Sequence, residues 1–207
     1  TTNIGLYVEL LEGASDSKRD EYLQILKEQS QLLRRLVEDI LDLSRLAIGK
    51  TKKIEFSEID LRLLVEQALT AHYPAAEKAG IELKYEVSGE IPALRGDMSR
   101  LSRVVNNLLS NAIQYTPQGW VKILLRPMEN YVCMEVQDTG MGISEEDLPH
   151  IFERFFRGQQ VRQSKRHGTG LGLAIVREIV ELHNGKIDVE SKMSEGSTFR
   201  VYLPISE

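Results

Sequence analysis

Apolar residues recur at helical spacing from the start of the chain: Ile4, Tyr7, Val8, Leu10 and Leu11 share one face before Gly13-Ala14-Ser15-Asp16-Ser17 breaks the pattern with loop and cap residues. A longer helix is predicted over residues 18–46. There Tyr22, Leu26, Leu33, Leu36, Ile40, Leu43 and Ala47 follow alternating spacings of three and four, interrupted only by Gln29. Ile25, Leu32, Val37 and Leu41 widen that seam beyond what a two-stranded coiled coil buries. Two helices cannot cover so broad a stripe between them. The pattern therefore predicts a hairpin that dimerises into a four-helix bundle, the alternative being a hairpin folded back on its own globular domain. The polar run Gly49-Lys50-Thr51-Lys52-Lys53 marks a boundary, giving a helical hairpin over 1–49, a linker over 50–55 and a second domain over 56–207.

The second domain alternates strands and helices irregularly. An edge strand is expected over 53–59, then a helix capped by Asp60 and closed by Gly80, with Pro74 expected to kink or break it. Strands follow over 81–87 and 91–95 around a Ser88-Gly89 turn. Next come a helix from Met98 to Tyr115 capped by Asp97 and an antiparallel hairpin of strands over 121–126 and 131–137. Ser144 reads as the N-cap of a short helix through Ile151 and Phe155, with Asp147 completing a capping-box-like pair. A polar segment over 157–167, a glycine-led helix ending at Asn184-Gly185, and strands over 186–191 and 198–203 complete the chain. This order predicts an α+β fold, a two-layer sandwich preceded by a truncated helical hairpin.

Composition narrows the function. With 42% hydrophobic and 28% charged residues the chain reads as globular, and a net charge of -5 argues against a nucleic-acid partner. The single cysteine, Cys133, excludes an intrachain disulfide or a cysteine metal site and reads as a buried thiol. No apolar run reaches membrane-spanning length. Thr1 starts abruptly inside a helical pattern, as the first residue of a fragment would.

Three stretches carry candidate chemistry. Val132, Met134 and Val136 alternate with polar residues up to Asp138, and Gly140 and Gly142 follow, so a carboxylate at a strand's end stands over a floor without side chains. Such a carboxylate can accept a hydrogen bond from an exocyclic amine such as adenine's; the plain alternative is turn chemistry. On the 98–115 helix, Asn107 and Asn111 lie together beside the apolar face of Leu101, Val104, Val105, Leu108 and Ala112. A carboxamide oxygen there suits Mg²⁺, which takes its remaining ligands from phosphates and water; the alternative is bridging of neighbouring backbone groups. Gly168-Thr169-Gly170-Leu171-Gly172 opens a helix without the spacing of a P-loop or a dinucleotide fingerprint, and bare N–H groups at such a terminus attract anions. The segment before it has glycine only at its ends, Gly158 and Gly168, as a hinged lid would.

These motifs, in this order, resemble the ATP-binding domain of sensor histidine kinases, within the superfamily shared by gyrase, Hsp90 and MutL-type ATPases. Asn107-Leu108-Leu109-Ser110-Asn111-Ala112 is similar to the family's asparagine box, Asp138 to Gly142 to its first glycine box, Phe152-Glu153-Arg154-Phe155-Phe156-Arg157 to its phenylalanine box, and Gly168 to Gly172 to its second glycine box. Gly196-Ser197-Thr198-Phe199 resembles the last nucleotide-contacting segment, and residues 36–44 resemble the second helix of the dimerisation and phosphotransfer hairpin. The resemblance implies ATP and Mg²⁺ as cofactors. Asp138 would hold the adenine amine, Asn111 the metal, and Gly168, Thr169, Gly170, Leu171 and Gly172 the phosphates; Asn107, Gln114, Tyr115, Gly140, Gly142, Ile143, Arg157, His167 and Thr198 would complete the nucleotide site. It also implies a response regulator receiver domain as partner, a homodimer through the hairpin, and a cytoplasmic location, with membrane anchoring of a longer parent left open.

Two departures matter. Gln114 stands where the family often carries a phosphate-pairing lysine, so charge neutralisation would rest on Mg²⁺, Arg157 and Lys165, Arg166 or His167. None of the four histidines, His72, His150, His167 and His183, lies in the family's phospho-acceptor setting. The acceptor histidine is therefore expected upstream of Thr1, and the fragment is expected to bind ATP without phosphorylating itself at the usual place. His183, near a helix end, is placed where a cation suits the dipole. An ATP hydrolase of the same superfamily and a non-catalytic scaffold are the other readings, the first set back by Asn107 standing where those relatives place a general base.

Overall fold

The computed structural model describes residues 2–12, 15–49, 56–158 and 168–205. Helices α1 (Thr2–Glu12) and α2 (Asp16–Gly49) form the hairpin, and Tyr7 meets Tyr22 across it at 5.6 Å between ring centroids. The rest comprises β1 (Ser57–Ile59), α3 (Leu61–Ala79), β2 (Ile81–Val87), β3 (Leu94–Gly96), α4 (Met98–Tyr115), β4 (Gly119–Pro127), β5 (Tyr131–Asp138), α5 (Gly172–Leu182), β6 (Lys186–Lys192) and β7 (Gly196–Pro204).

Alternating apolar residues build one sheet in the order β2-β4-β5-β7-β6, antiparallel except for the parallel β2–β4 pair. Register aligns Ile123, Val136, Phe199 and Val189 across four of its strands, and that row faces the helices. The helices answer with matching stripes: Leu61, Leu64, Val65 and Ala68 from α3, Leu101, Val104, Val105 and Leu108 from α4, and Ile175, Val176, Ile179 and Val180 from α5. The two layers close one core, the α+β sandwich that the alternation of elements predicts. On the outer face Cys133 is fully buried and free, beside Glu135, whose carboxylate is held by Arg126 (2.6 Å) and Arg200 (3.3 Å).

Several local expectations change. Strand β3 does not pair with β2; it pairs with β1 in a separate two-stranded sheet, while β2 runs beside β4. Pro74 does not break α3, because Ala76 beyond it is buried with the residues before it, and packing on both sides outweighs one lost backbone bond. The helix expected after Ser144 is only a 3-10 turn, Leu148–His150. Pro149 lacks an N–H, and Phe155, at φ 64, gives its N–H to the Gly170 carbonyl (2.9 Å) instead of extending a helix. Thr1, at which the expected break in the hairpin falls, lies outside the described residues, and α1 is described from Thr2 onward. The 50–55 linker and most of the 157–167 segment lie outside them too.

His183 closes α5 and differs from expectation. It is buried, its Nδ1 donates to the Ile179 carbonyl (2.7 Å), and its Nε2 accepts the Asp97 N–H (3.0 Å). Both nitrogens are used by a neutral ring, and burial holds its pKa below the usual 6.5. The folded state therefore binds fewer protons than the unfolded one once pH falls below that value, so stability is full above it and declines as pH drops. Denaturation at about pH 7.5 and about pH 5.5 should show wild type losing stability relative to His183→Gln; parallel curves would refute the neutral assignment.

Candidate functional site

The first glycine stretch is held from two sides. Met141 N–H donates to the Tyr115 carbonyl at the end of α4 (3.1 Å), Ile143 N–H to the Ser191 hydroxyl (2.8 Å), and Ser194 N–H back to the Met141 carbonyl (2.8 Å). Gly142 has φ 69 and lies against the Lys192 carbonyl, so no side chain fits there. Asp138, ending the central strand, is 9% exposed; its Oδ1 accepts the Gly140 N–H at 2.8 Å. Burial raises its pKa, and the N–H donors of Gly140 and Ser197 partly offset that.

The glycine-led helix α5 starts without a side-chain cap, leaving the N–H groups of its first turn without the usual internal partners. Gly170, at φ 70, packs against the Phe155 backbone, where a Cβ would come within 2.8 Å. Thr169 Oγ1 accepts the Leu171 N–H at 3.2 Å and donates to Asp39 of α2 at 2.8 Å. Hairpin and glycine loop are thus joined directly.

These elements face one cleft of about 370 Å³, within the range of small-molecule sites. Asn107, Asn111, Gln114, Tyr115, Asp138, Gly142, Ile143, Arg157, Gly168, Thr169, Gly170 and Gly172 line it. Asn107 Nδ2 is buried there without a hydrogen-bond partner among the described residues. Three anticipated residues sit elsewhere. Gly140 is packed beneath the turn, Leu171 is fully buried in the core, and Thr198 lies on the opposite face of β7 from its lining neighbours Ser197 and Phe199. His167 lies outside the described residues.

Within the 196–199 segment sequence reasoning singled out Thr198, whereas Ser197 lines the cleft, a choice the period of two would have made once Asp138↔Ser197 pairing was known. The same reasoning missed Leu32, Glu38 and Asp39, hairpin residues that form part of the wall. Asp39 is buried and holds Arg103 of α4 at 2.6 Å. Nothing in a helical stripe announces such a contact. Among the described residues no three His, Cys, Asp or Glu side chains cluster as a metal site. A cation here would need ligands from carboxamides, water and its own bound anion, and Asn111 and Asn107 fit that role.

Comparison with known proteins follows the same lines. Residues 96–207 match the family described as histidine kinase-, DNA gyrase B-, and HSP90-like ATPase, and residues 2–49 match the His Kinase A (phospho-acceptor) domain. The sensor-like histidine kinase SenX3 of Mycobacterium tuberculosis is 39% identical over 170 residues, covering 82% of this chain and 41% of that protein. Full-length ShkA, solved in complex with AMPPNP, superposes with a TM-score of 0.78 at 28% identity, covering 99% of this chain and 43% of that one. Histidine kinase ThkA, solved in complex with response regulator protein TrrA, gives 0.79 at 27% identity over 99% and 57%. The chain spans less than half the length of the curated relatives it matches. With a hairpin that matches the His Kinase A domain joined to a two-layer domain, and the asparagine and glycine boxes meeting at one cleft, the chain belongs to the histidine kinase-, DNA gyrase B-, and HSP90-like ATPase family.

Proposed function

We propose that the cleft binds Mg-ATP and that the chain is the core of a protein-histidine kinase, passing the γ-phosphate to an imidazole that the present sequence does not contain. The observation that carries this is the meeting of a buried carboxylate, an amide-bearing helix and an uncapped helix N-terminus at one cleft. Asp138 takes the adenine amine, the first turn of α5 and Thr169 take phosphate oxygens, and Asn111, with Asn107 beside it, takes Mg²⁺. Arg157, which lines the cleft, supplies positive charge where Gln114 does not. An amide at position 107 has no basicity for activating water, which favours transfer to a neutral imidazole, already nucleophilic, over hydrolysis. The proposed ATP-binding unit runs from 56, ahead of the family match at 96, a boundary supported by the pairing of β1 with β3 and the packing of α3 on α4. Calorimetry should show Mg-ATP binding that weakens sharply without Mg²⁺. A variant carrying a phospho-acceptor helix fused ahead of Thr1 should then acquire acid-labile, base-stable phosphate. A chain that binds no Mg-ATP would end this reading, and one that binds it without ever phosphorylating the acceptor would leave a scaffold.

Dimerisation through the hairpin is part of the proposal. Leu36 of α2 packs on the core while Leu33, Val37, Ile40 and Leu41 stay exposed, so one face of α2 meets its own domain and another is left for a second copy. Sedimentation should show a concentration-dependent dimer that Ile40→Glu dissociates. A monomer at high concentration would refute it. A receiver domain is the proposed downstream partner, in keeping with the ThkA–TrrA complex.

A further inference from the structure

We infer that Asp39 of α2 is an internal stand-in for nucleotide phosphate, so that docking of the hairpin and filling of the phosphate end of the cleft oppose each other. This rests on the Mg-ATP reading of the cleft. The Asp39 carboxylate uses both oxygens: Oδ1 accepts from Arg103 Nη2 at 2.6 Å and Oδ2 from Thr169 Oγ1 at 2.8 Å. A guanidinium and a glycine-loop hydroxyl are the donors a phosphoryl group would take. Arg103, Thr169 and Asp39 all line the cleft, and Glu38 beside Asp39 lines it too. The Asp39 carboxylate thus stands against the glycine loop that leads into the uncapped start of α5, where a polyanion must arrive, while Glu38 pairs with Arg34 along α2 (3.0 Å). With Gln114 bringing no charge, the cation engaged by Asp39 matters more to an incoming triphosphate. Asp138, at the adenine end, hydrogen-bonds elsewhere and is not part of this contact.

Because coupling between two events is reciprocal, phosphate occupancy must loosen the hairpin as much as hairpin docking weakens phosphate binding. The coupling should also follow ligand charge. Calorimetry on the full chain with Mg-ATP, Mg-ADP and adenosine, for wild type, Asp39→Asn and Asp39→Ala, tests this. Both variants should bind Mg-ATP about three- to tenfold more tightly, Mg-ADP with a smaller gain, and adenosine unchanged. In wild type, Mg-ATP should speed hydrogen exchange of the α2 amides around Asp39. Unchanged or weaker Mg-ATP affinity in both variants, with normal wild-type binding, overturns the inference and makes Asp39 a support for the glycine loop. Wild type that binds neither adenosine nor Mg-ATP would instead remove the nucleotide reading itself, and this inference with it.

Discussion

Asp138→Asn should weaken Mg-ATP binding on the order of 100-fold, about 3 kcal/mol, in calorimetry. The carboxylate is buried at the end of the central strand, and Oδ1 is already committed to the Gly140 N–H. An asparagine can keep that bond with its oxygen, but then turns an NH₂ toward the ligand's own amine, donor against donor. The same substitution should raise the melting temperature of the ligand-free protein. Burial lifts the folded pKa of Asp138 above 3.8, so the ionised group opposes folding: its contribution is favourable at low pH and is lost as pH rises through the lifted value. Asn carries no charge to bury. Binding by wild type should accordingly fade on acidification at a higher pH than an ordinary carboxylate would give. Undiminished affinity in Asp138→Asn would overturn the adenine assignment, while a lower ligand-free melting temperature would show that Asp138 is structural.

Gly196→Ala should lower the melting temperature by about 10 °C, from a cost of about 3 kcal/mol or more. Gly196 starts β7 at φ 105, a conformation that side chains rarely adopt, and its missing Cβ would overlap the Asp138 carbonyl and lie 3.0 Å from Thr139 Cα. Relief requires moving the strand end that carries Asp138, so nucleotide affinity should fall with stability. Gly5→Ala is the control. It is helical with nothing within 4 Å of an added methyl, and alanine's better helix propensity should make it neutral or stabilising. A Gly196→Ala protein as stable as wild type would show that the β5–β7 junction is not tight.

The two variants separate what a sequence carries from what it does not. Where a residue's role depends on its immediate neighbours, the chain alone determined the outcome. Asp97 capping α4 at Met98 and Gly80 ending α3 both follow from local patterns. So do the β4–β5 hairpin, the side-by-side carboxamides of Asn107 and Asn111, and the glycine-led start of α5. Local backbone bonding and short-range periodicity dictate each of these.

Tertiary structure decided everything that depends on which distant segments meet. β2 and β3 take unrelated partners because sheet register is chosen by burial of whole faces, not by the turn between them. Phe155 leaves a helical path because Gly170 offers its N–H a better acceptor. Ser197 rather than Thr198 faces the cleft because pairing with β5 fixes which side of β7 points inward. His183 is neutral because Asp97 and Ile179 surround it, whereas a helix end alone would have favoured a cation. Asp39 reads in sequence as one more polar position on an amphipathic helix, and only packing of α2 beside α5 turns it toward Arg103 and Thr169. Periodicity records which face of an element is apolar; it holds no term for the partner that the polar edge of that face will meet.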